Sequence, residues 1–69
     1  MRQLTTYRIH SAHDWYGVEK ARDLHLWVVI PAVDTSTPEG RTEEQNNLCE
    51  ELTKHLNHGI IRCEAERIN

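Results

Sequence analysis

Asp23 to Val33 reads DLHLWVVIPAV, with Leu24, Leu26, Val28, Ile30 and Ala32 on one side of the alternation and His25, Trp27 and Val29 on the other. A period of two with β-branched and aromatic residues at successive positions is a strand signature. Both sides are apolar, so this strand is expected at the centre of a sheet, or covered twice. Pro31 has no N–H to give to a ladder and must fall at the strand's end.

Upstream, LTTYRIHSA from Leu4 to Ala12 places Thr5, Tyr7, Ile9 and Ser11 on one face of a second strand. Asp14, Gly17, Glu19 and Lys20 interrupt the alternation, and the glycine in DWYGVEK supplies a reversing turn, so the two strands form a hairpin. Downstream, DTSTPEG reads as a loop by composition. Thr42 followed by Glu43, Glu44 and Gln45 is a capping-box pattern that starts a helix, with its acids near the positive end of the helix dipole. Leu48, Cys49, Leu52, His55 and Leu56 make one apolar stripe, and Gly59 stands where a left-handed C-terminal cap is wanted. IIRCEAERIN then alternates Ile61, Cys63 and Ala65 against Arg62, Glu64 and Glu66, the pattern of a half-exposed edge strand.

The order predicts an α+β fold: one small β-β-α-β domain over residues 1–69, with a three-stranded, mainly antiparallel sheet and one helix packed on one face. A helix of about 16 residues is about 24 Å long and covers one side of such a sheet. The face bearing Trp27 and Val29 therefore needs a second cover, either Trp15 and Tyr16 from the hairpin or another chain.

Size and charge narrow the function classes. At 69 residues the chain buries only about 60% of its unfolded surface, so its stability is expected to be marginal without a partner or ligand. Its net charge is −3, with acids and bases interspersed and no basic stripe, which disfavours nucleic-acid binding. Cys49 and Cys63 lie far apart in sequence, unlike a metal knuckle or disulfide scaffold, and are expected to be reduced core thiols. The longest apolar run is mid-chain and contains Pro31, so neither a signal peptide nor a membrane span is expected, and a cytoplasmic setting follows.

Catalysis finds little support. No nucleophile elbow, thiol signature or glycine-rich phosphate cradle is present. Glu43 with Glu44, and Glu50 with Glu51, are adjacent on a helix and diverge by about 100°, unlike an acid/base pair flanking a bond. Five histidines invite a metal reading. His55 and His58 are three apart on the expected helix and could chelate zinc or nickel from neighbouring positions, with His25 in the apolar strand as a further candidate; His10 and His13, three apart on a strand, point to opposite faces. The competing reading makes His55 part of the apolar stripe and His58 an ornament of the helix C-terminus.

DLHLW (Asp23 to Trp27), followed by a strand end, a helix and a last strand, is similar to the cytoplasmic C-terminal domain of cation-efflux transporters. The resemblance spans these five residues and the element order of the second half, while TTYRIHSAHDWYG stands where that family has a helix. It implies a small dimeric α/β domain that binds divalent metal through histidines and acids, with His25 and Asp23 as ligands.

Two expectations result. The first is a non-enzymatic protein–protein interaction module, a small regulator or inhibitor of a larger protein, binding another protein or a second copy through an open sheet face or strand edge. Its contact residues are Trp15, Tyr16, His25, Trp27 and Val29, since Trp and Tyr dominate binding hot spots. The alternative is a histidine-based metal-binding or sensing domain using His25, His55 and His58.

Overall fold

The computed structural model describes residues 3–68, with the side chains of residues 23–25 left out of the description. Strands β1 (Leu4–Asp14) and β2 (Glu19–Pro31), helix α1 (Pro38–Leu56) and strand β3 (Ile60–Arg67) follow in that order. This is the expected α+β arrangement: an antiparallel sheet with one helix packed on it. Among the described residues the sheet order is β2-β1-β3, and β1 runs antiparallel to both neighbours.

The central strand is therefore β1, and of the two alternatives expected for the doubly apolar β2, a central place or a double cover, the central place is corrected. β2 and β3 run parallel with β1 between them, which makes β2-α1-β3 a split crossover. A parallel connection needs a helix-length link, whereas the hairpin joins β1 to β2 directly, so β3 is left to take the free side of β1. Two-sided apolarity reported burial demand, not position in the sheet.

Asp14 O accepts from Gly17 N at 3.0 Å in the hairpin turn, and Gly17 takes φ 77°, a conformation that glycine adopts without a Cβ penalty. β2 starts at Glu19, so two residues read as turn belong to the strand. Thr5, Tyr7 and Ile9 face the helix, as the alternation implies. His10 then bulges: Ile9 pairs with Ala65 and Ser11 with Glu64, so β1 carries one extra residue against β3, while on the other side residues 23–25 stand opposite it in β2. Past the bulge the inward set becomes Ala12 and Asp14. A second irregularity, where Asp14 pairs with Ile60 and His13 with Arg62, turns Ile61 outward and buries Ile60 in its place.

α1 begins a turn earlier than the Thr42 motif suggested. Thr37 is the N-cap, its Oγ1 accepting from Gly40 N at 3.0 Å, and Pro38 opens the first turn, where a missing N–H costs nothing. The Thr42 hydroxyl instead donates to Pro38 O at 3.1 Å within the helix. At the other end the left-handed cap is Asn57 (φ 52°), not Gly59, and its N–H closes on Thr53 O. Leu48, Cys49 and Leu52 pack onto Tyr7, Ile9, Ala12, Ala21, Val28, Ile30, Ile60 and Cys63, with Leu26, Leu56 and Ala65 at the margin.

Two polar links fasten the helix to the sheet. The Tyr7 hydroxyl donates to the Glu44 carboxylate, and burial together with that carboxylate pushes the phenol up to about 12. Gln45 Oε1 accepts from Cys63 N at 3.0 Å and lies 3.4 Å from Cys63 Sγ and 3.7 Å from Cys49 Sγ. Both thiols are free and buried, and burial raises both, Cys63 to about 12, which keeps them protonated and unreactive.

Candidate functional site

The sheet face turned away from α1 is built from the residues that alternate with the core set. At its β2 end, Trp27 pairs with Arg8, Val29 with Thr6 and Pro31 with Leu4. Trp27 is 50% and Val29 48% exposed, and Leu4 is more open still, so these three make an uncovered apolar strip along the β2 edge of the sheet. Trp15 and Tyr16 do not reach it. They sit in the hairpin turn, 75% and 84% exposed, and the β1 register from Asp14 to Arg8 separates that turn from Trp27 by about 20 Å of strand. Intramolecular cover by the hairpin aromatics is thus corrected.

The edge of β2 is a second feature of the same place. Ala32 N donates to Gln3 O at 3.0 Å, so even-numbered residues of this stretch direct their backbone groups toward β1. Odd-numbered residues direct theirs outward. Pro31 is odd, so its missing N–H falls on the open side and breaks no bond of the sheet, as edge prolines do. Trp27 and Val29 present outward N–H and C=O groups. β3, the opposite edge, carries Arg62, Glu64 and Glu66 along its length, the charges that natural edges use against pairing. Residues 26–30 of β2 carry none.

The histidines fall otherwise than their spacing implied. α1 ends at Leu56, so His58 lies beyond the helix and shares no face with His55; the chelating pair is corrected. His55 is exposed, outside the apolar stripe to which the competing reading assigned it. His58 Nε2 meets Asp14 Oδ2 at 2.9 Å. The side chains of Asp23 and His25, one of them in both expected sites, lie outside the described residues. The His10 bulge changes the parity of β1 and brings His10 and His13 onto one face, where the plain alternation had separated them. Both line a shallow open depression of the sheet surface with Glu19, Arg22, Arg62 and Glu64. Among the described residues no group of three His, Cys, Asp or Glu side chains is placed to hold a metal ion.

Asp14 is the polar hub that sequence reasoning missed. Its Oδ1 accepts from Tyr16 N at 3.0 Å and Val18 N at 2.9 Å, while Lys20 Nζ stands 3.8 Å from Oδ2. Burial works to raise this carboxyl, but the Val18, His58 and Tyr16 hydrogen bonds and the Lys20 charge outweigh it and hold it below the usual carboxylate range. An Asp–His pair resembles part of a catalytic triad, yet here its contacts are hairpin N–H groups and a lysine, which are the contacts of a structural clasp. The motif that could have exposed it was Asp-x-Tyr-Gly, an Asx-type turn with its acid at the first position.

No helix among the described residues is long and apolar enough to cross a membrane. Comparison with known protein families, curated proteins and solved structures returns no match, so the site is read from this chain's own geometry.

Proposed function

We propose that the protein is a non-enzymatic interaction module of the cytoplasm, a small regulator or inhibitor that engages a protein partner, or a second copy of itself, through the β2 side of its open sheet face. The observation that carries this reading is the half-exposure of Trp27 and Val29 on an edge strand whose other face is already in the core. Central aromatic residues beside apolar neighbours are where binding energy concentrates. The reduced thiols and interspersed surface charge suit a cytoplasmic setting.

Hydrophobic-dye binding and subunit mass, measured on the wild type and on Trp27→Ala, test it. Trp27 projects away from the core, so its truncation leaves the fold in place while removing the anchor. Dye binding is expected to fall in the variant. A wild-type monomer that binds little dye and behaves like Trp27→Ala would sink the reading.

A further inference from the structure

We infer that the partner strand is β2 of a second copy, paired antiparallel about a two-fold axis at Val28 so that Trp27 faces Val29 of the other chain. This rests on the interaction reading above and names the partner for that same surface. The free edge is a window of limited length, closed at one end by the irregularity at residues 23–25 and at the other by Pro31. Residues 26–30 lie between, and Val28 is their midpoint. Two such windows overlap completely in one antiparallel register, in which residue 26 meets 30, 27 meets 29 and 28 meets 28.

The backbone accepts that register and rejects its neighbours. Trp27 and Val29 both direct their N–H and C=O groups outward, so placing 27 against 29 makes a reciprocal bonded pair, and the two-fold axis repeats it. A slip by one residue would set the outward groups of 27 against the inward-bonded 28 and leave them unpaired. On the open face the same register puts an aromatic ring beside a β-branched side chain in both directions, a favoured cross-strand pair, and merges the two apolar strips.

Charge selects the antiparallel sense. Asp34, Glu43, Glu50 and Glu51 line a groove at the Pro31 end of β2, and hydrogen bonds from Ser36 hold the Asp34 carboxylate below the ordinary range. The opposite end carries Glu19, Lys20, Arg22 and Asp23, whose formal charges cancel. Antiparallel pairing sets each acidic groove beside a charge-balanced end; parallel pairing would bring two acidic grooves together on strands about 4.8 Å apart. The uncovered apolar surface is small against the roughly 800 Å² per partner of a standard interface, so the dimer belongs to the weak class in which strand hydrogen bonds carry much of the affinity.

Analytical ultracentrifugation of the wild type, Val29→Pro and Val29→Lys is the test. Proline at 29 deletes the outward N–H without removing a bond to β1 and keeps an apolar surface, as Pro31 already does. The wild type is expected to dimerise at about 100 µM, and Val29→Pro to weaken the dimer about tenfold or more. Val29→Lys is expected to weaken it too. If Val29→Pro stays dimeric while Val29→Lys does not, the sheets stack face to face and edge pairing is overturned. The register is read independently of the proline by mixing Trp27→Cys with Val29→Cys: oxidative cross-linking between the two variants is expected to outrun that within either, and equal rates would overturn the register. A wild type that is monomeric yet binds dye through Trp27 overturns self-pairing while leaving the interaction reading standing; a monomer that binds none overturns both.

Discussion

Replacing Tyr7 by Phe should destabilise the protein at neutral pH and stabilise it in strong alkali. The Tyr7 ring is 5% exposed and its hydroxyl donates to Glu44 on α1. At pH 7 the variant loses a hydrogen bond to a charged acceptor, and because Glu44 is only half-buried its carboxylate recovers water. The expected cost is about 1 to 2 kcal/mol, at the lower end of what charged hydrogen bonds contribute. Above pH 10 the balance shifts. In the folded chain the phenol is raised from 10.0 to about 12, so between those values the unfolded chain releases a proton that the folded chain keeps. Stability supplied by Tyr7 is therefore complete below pH 10 and falls by about 1.4 kcal/mol per pH unit as pH rises through the window, on the order of 2 to 3 kcal/mol in all.

The phenylalanine variant has no proton to lose there. Its stability curve should cross that of the wild type near pH 11, the wild type being the stabler below and the weaker above. Urea unfolding followed by far-ultraviolet circular dichroism at closely spaced pH values from 7 to 12 reads this directly. Cys63 is also raised to about 12, but it is so in both proteins, so the difference between the curves isolates Tyr7. Parallel curves would refute the argument, since they would mean that the hydroxyl titrates alike in the folded and unfolded chains.

Two further outcomes test other parts of the fold. Gly40→Ala is expected to destabilise strongly in thermal melts, against the gain of about 1 kcal/mol usual at an open helix site, because the added Cβ would lie 1.6 Å from Asp34 O; Gly59→Ala, with nothing within 4 Å, should be near neutral, and equal melting temperatures for the two would contradict this packing. Asp14→Asn is expected to flatten the acid limb of the stability curve: a carboxyl held below its ordinary 3.8 contributes above that value and is lost as pH falls through its depressed pKa, so an unchanged limb would remove Asp14 from the role of clasp.

What the sequence disclosed and what it hid divide along one physical line. Element types were legible because each carries a period: β1 and β2 alternate, and Leu48, Cys49 and Leu52 keep the helical spacing of a buried stripe. Wherever a single residue broke the period, the reading went astray. The extra residue at His10 reversed which later side chains face the core, brought His10 and His13 together and aimed Asp14 at His58; the irregularity at Ile61 exchanged it for Ile60. Bulges leave no compositional mark, because the residue inserted is an ordinary one and the cause lies in the neighbouring strand. The helix start was hidden differently: Thr-Pro-Glu-Gly looks like loop chemistry and is also an N-cap followed by a proline at N1, and only the Thr37 bond to Gly40 N separates the two.

The misplaced strand bears most on function. A run apolar on both faces states that both faces want cover, and a one-helix domain can satisfy only one of them. Placing β2 at the centre of the sheet would have left that demand unmet all the same, since the second face would still look onto water. Placing it at the edge adds outward-directed backbone groups, without a strand partner among the described residues, to the exposed Trp27 and Val29, in a window that Pro31 and the residue 23–25 irregularity keep short. Shortness matters because a long apolar edge recruits any extended chain, whereas a five-residue window with a proline stop admits few registers. The opposite edge, lined by Arg62, Glu64 and Glu66, shows what this chain does with an edge that is to stay free. The absence of such charges from residues 26–30 is thus the sequence-level counterpart of the exposed Trp27 and Val29, and introducing one, as Val29→Lys does, would make β2 resemble β3.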